Sequence, residues 1–331
     1  MKSPNDASAA PPPATPATFA DYVSIARPSH WMKHVFIVPG IVLAYILHPT
    51  DPAGLVLTLA LGLLSACAAA SANYVINEWL DADFDRFHPT KSKRPGVARR
   101  LSPAAVLTEY VLLMALAVGT ALAISDLFAL TTGAFLLSGL LYNVRPVRTK
   151  DRPYLDVVSE AVNNPIRLTL GWAMVSPTTL PPSSLLLAYW MGGAFLMAIK
   201  RFAEFRAVVA AGAGAELHLY RRSFGHYTEN RLLVSAFLYA QMAAFFLAVF
   251  LIKYRVEYLL SMPLFALLFA VYLRIGLKRE SVAQAPERLF EEKALMAVVA
   301  LLVVTLGVLT WVDLPFLERL ADPHYIEVPL D

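Results

Sequence analysis

The sequence predicts an all-α, polytopic membrane protein of about nine transmembrane helices, and three observations predict it. Hydrophobic residues fill 57% of the 331 positions and Asp, Glu, Lys and Arg only 16%, against about 25% charged residues in an ordinary soluble domain. Apolar stretches near the length needed to cross a bilayer, about 17 to 25 residues, recur along the chain. The basic residues alternate between loops: 24 of the 28 Lys and Arg fall in the N-terminal segment and in the even-numbered loops, and Lys and Arg in short loops mark the cytoplasmic side.

Residues 1–24 are rich in Ala and Pro without the apolar core of a signal peptide, so they read as a disordered cytoplasmic leader. A single membrane domain is expected over 25–315. Its spans read near 34–48, 54–76, 103–124, 127–143, 156–175, 183–199, 232–252, 256–275 and 294–312. The odd count puts the tail, 316–331, on the non-cytoplasmic side, opposite the N-terminus. Cys67 is the single cysteine, so no intramolecular disulfide is possible, and it reads as a small packing residue inside the second span. The net charge of +3 matters less than its concentration on one face, where it meets anionic lipid and anionic substrates. No soluble domain interrupts the spans. The segment 200–231 mixes charges with aromatics; Phe202, Phe205 and Val209 at helical spacing predict an amphipathic helix over the cytoplasmic mouth, stopped by Gly212 and Gly214. The loop 82–102 forms the other half of this cap.

The second span ends in Asn77-Glu78-Trp79-Leu80-Asp81-Ala82-Asp83-Phe84-Asp85. Asn77, Asp81 and Asp85 are four residues apart, so a continuing helix puts them on one face, a turn apart. Paired carboxylates of this kind suit a hard cation such as Mg²⁺, which keeps positions open for water and for phosphate oxygens. Arg86, His88, Lys91, Lys93 and Arg94 follow at once, which indicates a ligand carrying its own negative charge. A second constellation begins at Lys150 and enters the fifth span. Asp156, Glu160, Asn163, Asn164 and Arg167 form one helical stripe. Charged side chains in a bilayer centre cost about 2.5 to 3.5 kcal/mol each, so the stripe faces a wet cavity or partners in the bundle. Arg167 lies deepest, placed either to pair with Glu160 or to hold a phosphate. His30, His34, His48 and His88 show no metal-like pairing and read as interfacial packing. Trp31 reads as an interface anchor.

These residues resemble the UbiA-type polyprenyltransferase superfamily. Asn77, Glu78, Asp81 and Asp85 are similar to its Asn-Asp-x-x-Asp-x-x-x-Asp motif, with Glu78 in place of the first Asp. The run Asp85-Arg86-x-His88-Pro89-x-Lys91-x-x-Arg94-Pro95 is similar to the decaprenyl-phosphate phosphoribosyltransferase branch, as are Arg27-Pro28, Trp31 and Lys33, and Lys150, Pro153, Leu155, Asp156, Arg167 and Gly171. Lys200, Arg201, Glu204, Tyr227 and Thr228 resemble a third region of that branch, so the resemblance spans about 27–275. Asn163-Asn164, followed by Pro165, stands where the branch has Gly-Phe, and Glu160 departs from its pattern.

The resemblance implies a helical bundle around a central cavity under a cytoplasmic cap, in a bacterial-type inner membrane. It implies Mg²⁺ held by Asn77, Glu78, Asp81 and Asp85, with Asp81, Asp85 and Asp156 as catalytic groups. Lys33, Asn77, Arg86, Lys91, Arg94, Lys150, Glu160, Asn164, Arg167 and Lys200 are the expected substrate contacts. The implied reaction is transfer of a phosphoribosyl group from phosphoribosyl diphosphate to a polyprenyl phosphate. One alternative is prenyl transfer from a polyprenyl diphosphate to an aromatic or other small acceptor. Another, from a different class, is an ion-coupled transporter, since intramembrane carboxylates and Arg also line ion pathways. Expected partners are a polyprenyl lipid, a diphosphate-containing substrate and membrane lipids, and no nucleic acid.

Overall fold

The computed structural model describes residues 15–49, 53–86, 91–212, 214, 217, 221–284 and 286–321, nearly all of them helical. The first element is a two-residue strand, β1 (Thr15–Pro16), paired in parallel with β2 (Arg99–Arg100). Next comes α1 (Phe19–Ile25). Part of the expected leader is therefore folded against the loop that follows the second span, while residues 1–14 lie outside the described residues. A 3₁₀ helix, Pro28–Ile37, leads into α2 (Val38–Leu47). Then come α3 (Leu55–Asp85), α4 (Pro95–Ala98), α5 (Pro103–Leu122) and α6 (Asp126–Asn143). The second half comprises α7 (Leu155–Ala161), α8 (Asn163–Val175), α9 (Ser183–Ala210), α10 (Glu229–Tyr254), α11 (Met262–Leu277), α12 (Lys293–Trp311) and α13 (Pro315–Ala321). Of the tail, 322–331 lies outside the described residues.

Seven helical stretches among the described residues are long and apolar enough to cross a membrane: 19–47, 55–85, 103–122, 183–210, 229–254, 256–277 and 293–311. The two other segments read as spans are α6, of 18 residues, and the pair α7 and α8. That fifth segment is not the continuous helix the stripe suggested. It breaks at Val162, because Pro165 has no N–H to offer the carbonyl of Ala161, four residues back, and its ring crowds that carbonyl.

Helix length positions the site. The 31 residues of α3 measure about 46 Å at 1.5 Å per residue, against a hydrocarbon core of about 30 Å. Its last turns, with Asn77 to Asp85, therefore reach past the apolar layer. The 28 residues of α9 do the same. The expected separate amphipathic helix is thus an extension of α9: no Gly or Pro interrupts 194–211, and Phe202 and Phe205 are buried against Phe224, Tyr227 and Leu232. The helix ends before Gly212, whose φ of 81° is the left-handed conformation glycine adopts freely.

Packing relies on small side chains. The run Ser65 to Ala72 on α3 is mostly buried, which lets α5 and α6 approach closely, and Cys67 is half-buried within it. Between α2 and α8, a Cβ on Gly40 would lie 2.0 Å from the Leu168 carbonyl oxygen and one on Gly171 would lie 2.1 Å from that of Ile37. One apolar cluster joins α3, α5 and α6 with parts of α1 and α8, and a second joins α7, α9, α10, α11 and α12.

Candidate active site

At the extended end of α3, every acidic side chain of the motif but the exposed Asp83 is held by a buried or half-buried cation. Lys150 donates through Nζ to Asp81 Oδ1 and, at 2.7 Å, to Asn143 Oδ1. Arg148 Nη2 donates to the same Asp81 oxygen at 2.9 Å and Nε to Asp151 at 3.1 Å, while Nη1 is fixed on the Asn143 carbonyl at 2.9 Å. Arg94 reaches back from the following loop to Asp85 Oδ2 at 2.6 Å. Burial holds the Lys150 ammonium down at about 8, against the upward pull of Asp81. Phe84 lies between the guanidinium groups of Arg148 and Arg222, 5.4 and 5.6 Å from its ring centre.

The donor set suits a hard cation. Asp81 Oδ2 and Asp85 Oδ1 have no hydrogen bond among the described residues, and Asn77 spends its amide Nδ2 on Asn143 at 2.5 Å, which leaves its oxygen free. No three acidic or histidine side chains among the described residues yet converge on one point, because each carboxylate is drawn to its own cation.

Two expected members of this cluster are placed elsewhere. Glu78 is 2% exposed and accepts from Arg27 Nε and Nη2 at 3.0 and 2.8 Å and from the Gly96 N–H at 3.3 Å. One residue further round the helix than Asn77, it points to the N-terminal segment and α4 and ties them to α3. Arg86 is exposed and, among the described residues, pairs with exposed Asp83 at 3.5 Å. The Lys91 side chain, with His88, lies outside the described residues.

The second wall is built from α7, α9 and the segment 221–227. Asp156 is fully buried. It accepts from Tyr227 Oη at 2.6 Å and Ser223 Oγ at 3.1 Å, and pairs with Arg201 and Arg221 at 3.3 and 3.4 Å. Asp156, expected as a catalytic group, is enclosed by these partners, which tie 221–227 and α9 to α7. The Tyr227 hydroxyl, which also accepts the Tyr154 N–H, is pushed up in pKa by burial and by Asp156. Glu160 accepts from Arg201 at 2.6 Å and from Tyr142 Oη at 2.8 Å, so Arg201 takes the place of Arg167 as its partner. Arg201, 2% exposed, also binds Glu204 at 2.8 Å.

Three expected substrate contacts hold no ion pair among the described residues. Lys33 lies over the Tyr74 ring at 5.6 Å, Arg167 over the Phe135 ring at 5.1 Å, and Lys200 is half-buried on α9 within the fields of Lys33 and Glu160. Asn164 packs against Gly193, where any Cβ would lie 2.0 Å from its Nδ2.

Sequence reasoning missed Asn143, Tyr142, Arg148 and Arg221 as site residues. Arg148 and Arg221 were counted only as topology markers, and Asn143 closes an otherwise apolar helix. A backbone signal accompanies them: among the described residues, the non-glycine positions at positive φ are Arg148 (31°) and Tyr154 (64°), which adjoin these walls, and Arg27 (49°), which holds Glu78. Such conformations persist where surroundings over-determine them, as at functional sites.

Residues 35–291 match the UbiA prenyltransferase family. Nodulation protein NoeC of Azorhizobium caulinodans is 26% identical over 85% of this chain and 80% of its own length. A decaprenyl-phosphate phosphoribosyltransferase of Corynebacterium glutamicum is 28% identical over 66% of this chain and 63% of its own length. Another curated relative, an uncharacterized protein of Sinorhizobium fredii, is spanned over only 28% of its length. Among solved structures, a UbiA homolog from Archaeoglobus fulgidus bound to DMAPP and Mg²⁺ superposes with a TM-score of 0.64 at 21% identity, over 86% of this chain and 99% of that one. A family match running through both walls of the cavity, and a shared bundle, place this chain in the UbiA prenyltransferase family of membrane transferases.

Proposed function

We propose that the chain transfers a phosphoribosyl group from phosphoribosyl diphosphate to a polyprenyl phosphate, at the cytoplasmic face of a bacterial-type inner membrane. The observation that carries this reading is the presence of two separate sets of cations. Lys150, Arg148 and Arg94 surround the carboxylates at the end of α3, whereas Lys33, Arg167 and Lys200 hold no ion pair among the described residues. One set suits a diphosphate and the other a second anion, the acceptor phosphate. The named activity of the Corynebacterium relative supports the same reading.

Asn77, Asp81 and Asp85 would hold Mg²⁺, as the Mg²⁺-bound Archaeoglobus homolog supports. The ion would supply neutralisation of charge on the departing diphosphate. The chain's own groups do the rest. Lys150 and Arg148 exchange Asp81 for diphosphate oxygens as the bond between the ribosyl anomeric carbon and the diphosphate oxygen breaks. Arg167, Lys33 and Lys200 orient the acceptor phosphate, whose oxygen forms the new bond to that carbon. The Asp156 clamp keeps 221–227 closed over the site.

The second reading, prenyl transfer from a prenyl diphosphate, rests on the Archaeoglobus homolog bound to DMAPP. Purified chain in detergent is incubated with Mg²⁺, a polyprenyl phosphate and labelled phosphoribosyl diphosphate, and in parallel with Mg²⁺, a prenyl diphosphate and an aromatic acceptor. Labelled lipid supports the proposal; consumption of prenyl diphosphate alone overturns it.

A further inference from the structure

His34 has no role in the chemistry described so far, yet it is the most poorly satisfied polar side chain near the cavity. It is 6% exposed, and neither ring nitrogen has a hydrogen-bond partner among the described residues. Buried polar groups are paired as a rule, so an unpaired one points to a missing ligand, ion or water. In the 3₁₀ helix Pro28–Ile37, residues three apart eclipse, so His34 shares the face of Ile37. Ile37 lies against Gly171 of α8, with its carbonyl oxygen where a Cβ would be. Ile37 and Gly40 pack beside Gly171 and Leu168 of α8, so His34, one turn before Ile37, sits at the level of Arg167, one turn before Gly171, and the field of Arg167 reaches it.

Arg167 is equally under-used. It is 8% exposed; among the described residues its buried Nε has no partner and its one hydrogen bond, to the Asn163 carbonyl, is long at 3.5 Å. A guanidinium and an imidazole at one level of this packed pair of elements, both buried with unspent donors, suit an anion rather than a metal or an apolar chain.

We propose that His34 and Arg167 form the seat of a lipid monophosphate, with His34 the residue that selects the phosphate headgroup. One ring nitrogen donates to a phosphate oxygen, and the other accepts the O–H of the singly protonated phosphate. Arg167 donates to the remaining oxygens. This rests on the acceptor being a phosphate, as proposed above.

The test measures binding to the purified full chain in detergent. The probes are farnesyl phosphate, farnesol, inorganic phosphate and Mg²⁺-pyrophosphate. The wild type is expected to bind farnesyl phosphate at least tenfold more tightly than farnesol, with inorganic phosphate competing. His34→Phe loses that preference to within about threefold, keeps its pyrophosphate affinity within about twofold, and His34→Asn, which retains a donor, recovers part of it. If Phe does not fold at position 34, His34→Leu serves for the same comparison. Farnesyl phosphate binding unchanged in the apolar variant overturns the proposal, as does a parallel loss of pyrophosphate binding or a failure of inorganic phosphate to compete. His34-dependent binding without any phosphoribosyl transfer leaves the seat standing and refutes only the donor.

Discussion

Magnesium and diphosphate are predicted to bind this protein far more tightly together than apart. Asp81 is held through Oδ1 by Lys150 and Arg148. A cation arriving alone on the open Oδ2 repels these two cations across the same carboxylate; driving them off Oδ1 breaks two charge-assisted hydrogen bonds and leaves buried donors unpaired, at about 1.5 to 3 kcal/mol each. Diphosphate gives both donors new acceptors and restores that loss. The coupling is then about 3 to 6 kcal/mol, or roughly 10²- to 10⁴-fold in affinity, and by linkage it is reciprocal. Isothermal titration of Mg²⁺ into the purified protein, with and without saturating pyrophosphate and corrected for magnesium pyrophosphate in solution, measures it directly. Lys150→Met should remove about half of the coupling. A coupling below about fivefold in the wild type, or one unchanged in Lys150→Met, refutes the exchange of partners at Asp81.

Three further outcomes are expected. Asp81→Asn and Asp85→Asn each lower transfer activity by about 10³-fold, the scale of losing a charge-stabilising group; near-normal turnover in both would remove them from the metal site. Arg201→Met removes the cation shared by buried Asp156 and Glu204 and half-buried Glu160, and denaturation in detergent should show a loss of about 3 to 5 kcal/mol. Gly171→Ala puts a methyl 2.1 Å from the Ile37 carbonyl oxygen and should destabilise by about 1 to 3 kcal/mol, seen as a lower midpoint of thermal unfolding with no change in substrate preference.

The end of α3 was legible in the sequence because one unbroken helical period fixed Asn77, Asp81 and Asp85 on a common face, and α3 does run to Asp85. The fifth span was less so. Its stripe assumed a continuous helix, while Pro165 interrupts the hydrogen bonding at Ala161 and turns Asp156 and Glu160 toward α9 and 221–227. That segment's fold over α7 is a long-range event, and no local pattern showed that Asp156 would be saturated. The basic residues show the same division. Arg86 and Arg148 carry identical charge in loops of similar character, yet one points to water and the other is buried on Asp81. The uninterrupted stretch from 194 to 211 was a readable sign that α9 continues past the membrane, outweighing the amphipathic spacing that suggested a separate helix.

The close approach of α2 and α8 decides how a lipid can reach the cavity. With Gly40 against the Leu168 backbone and Gly171 against that of Ile37, main chain meets main chain and no acyl or isoprenoid tail can thread between the two helices. That flank of the bundle is a welded joint. The lipid acceptor proposed above would enter by another gap between the helices.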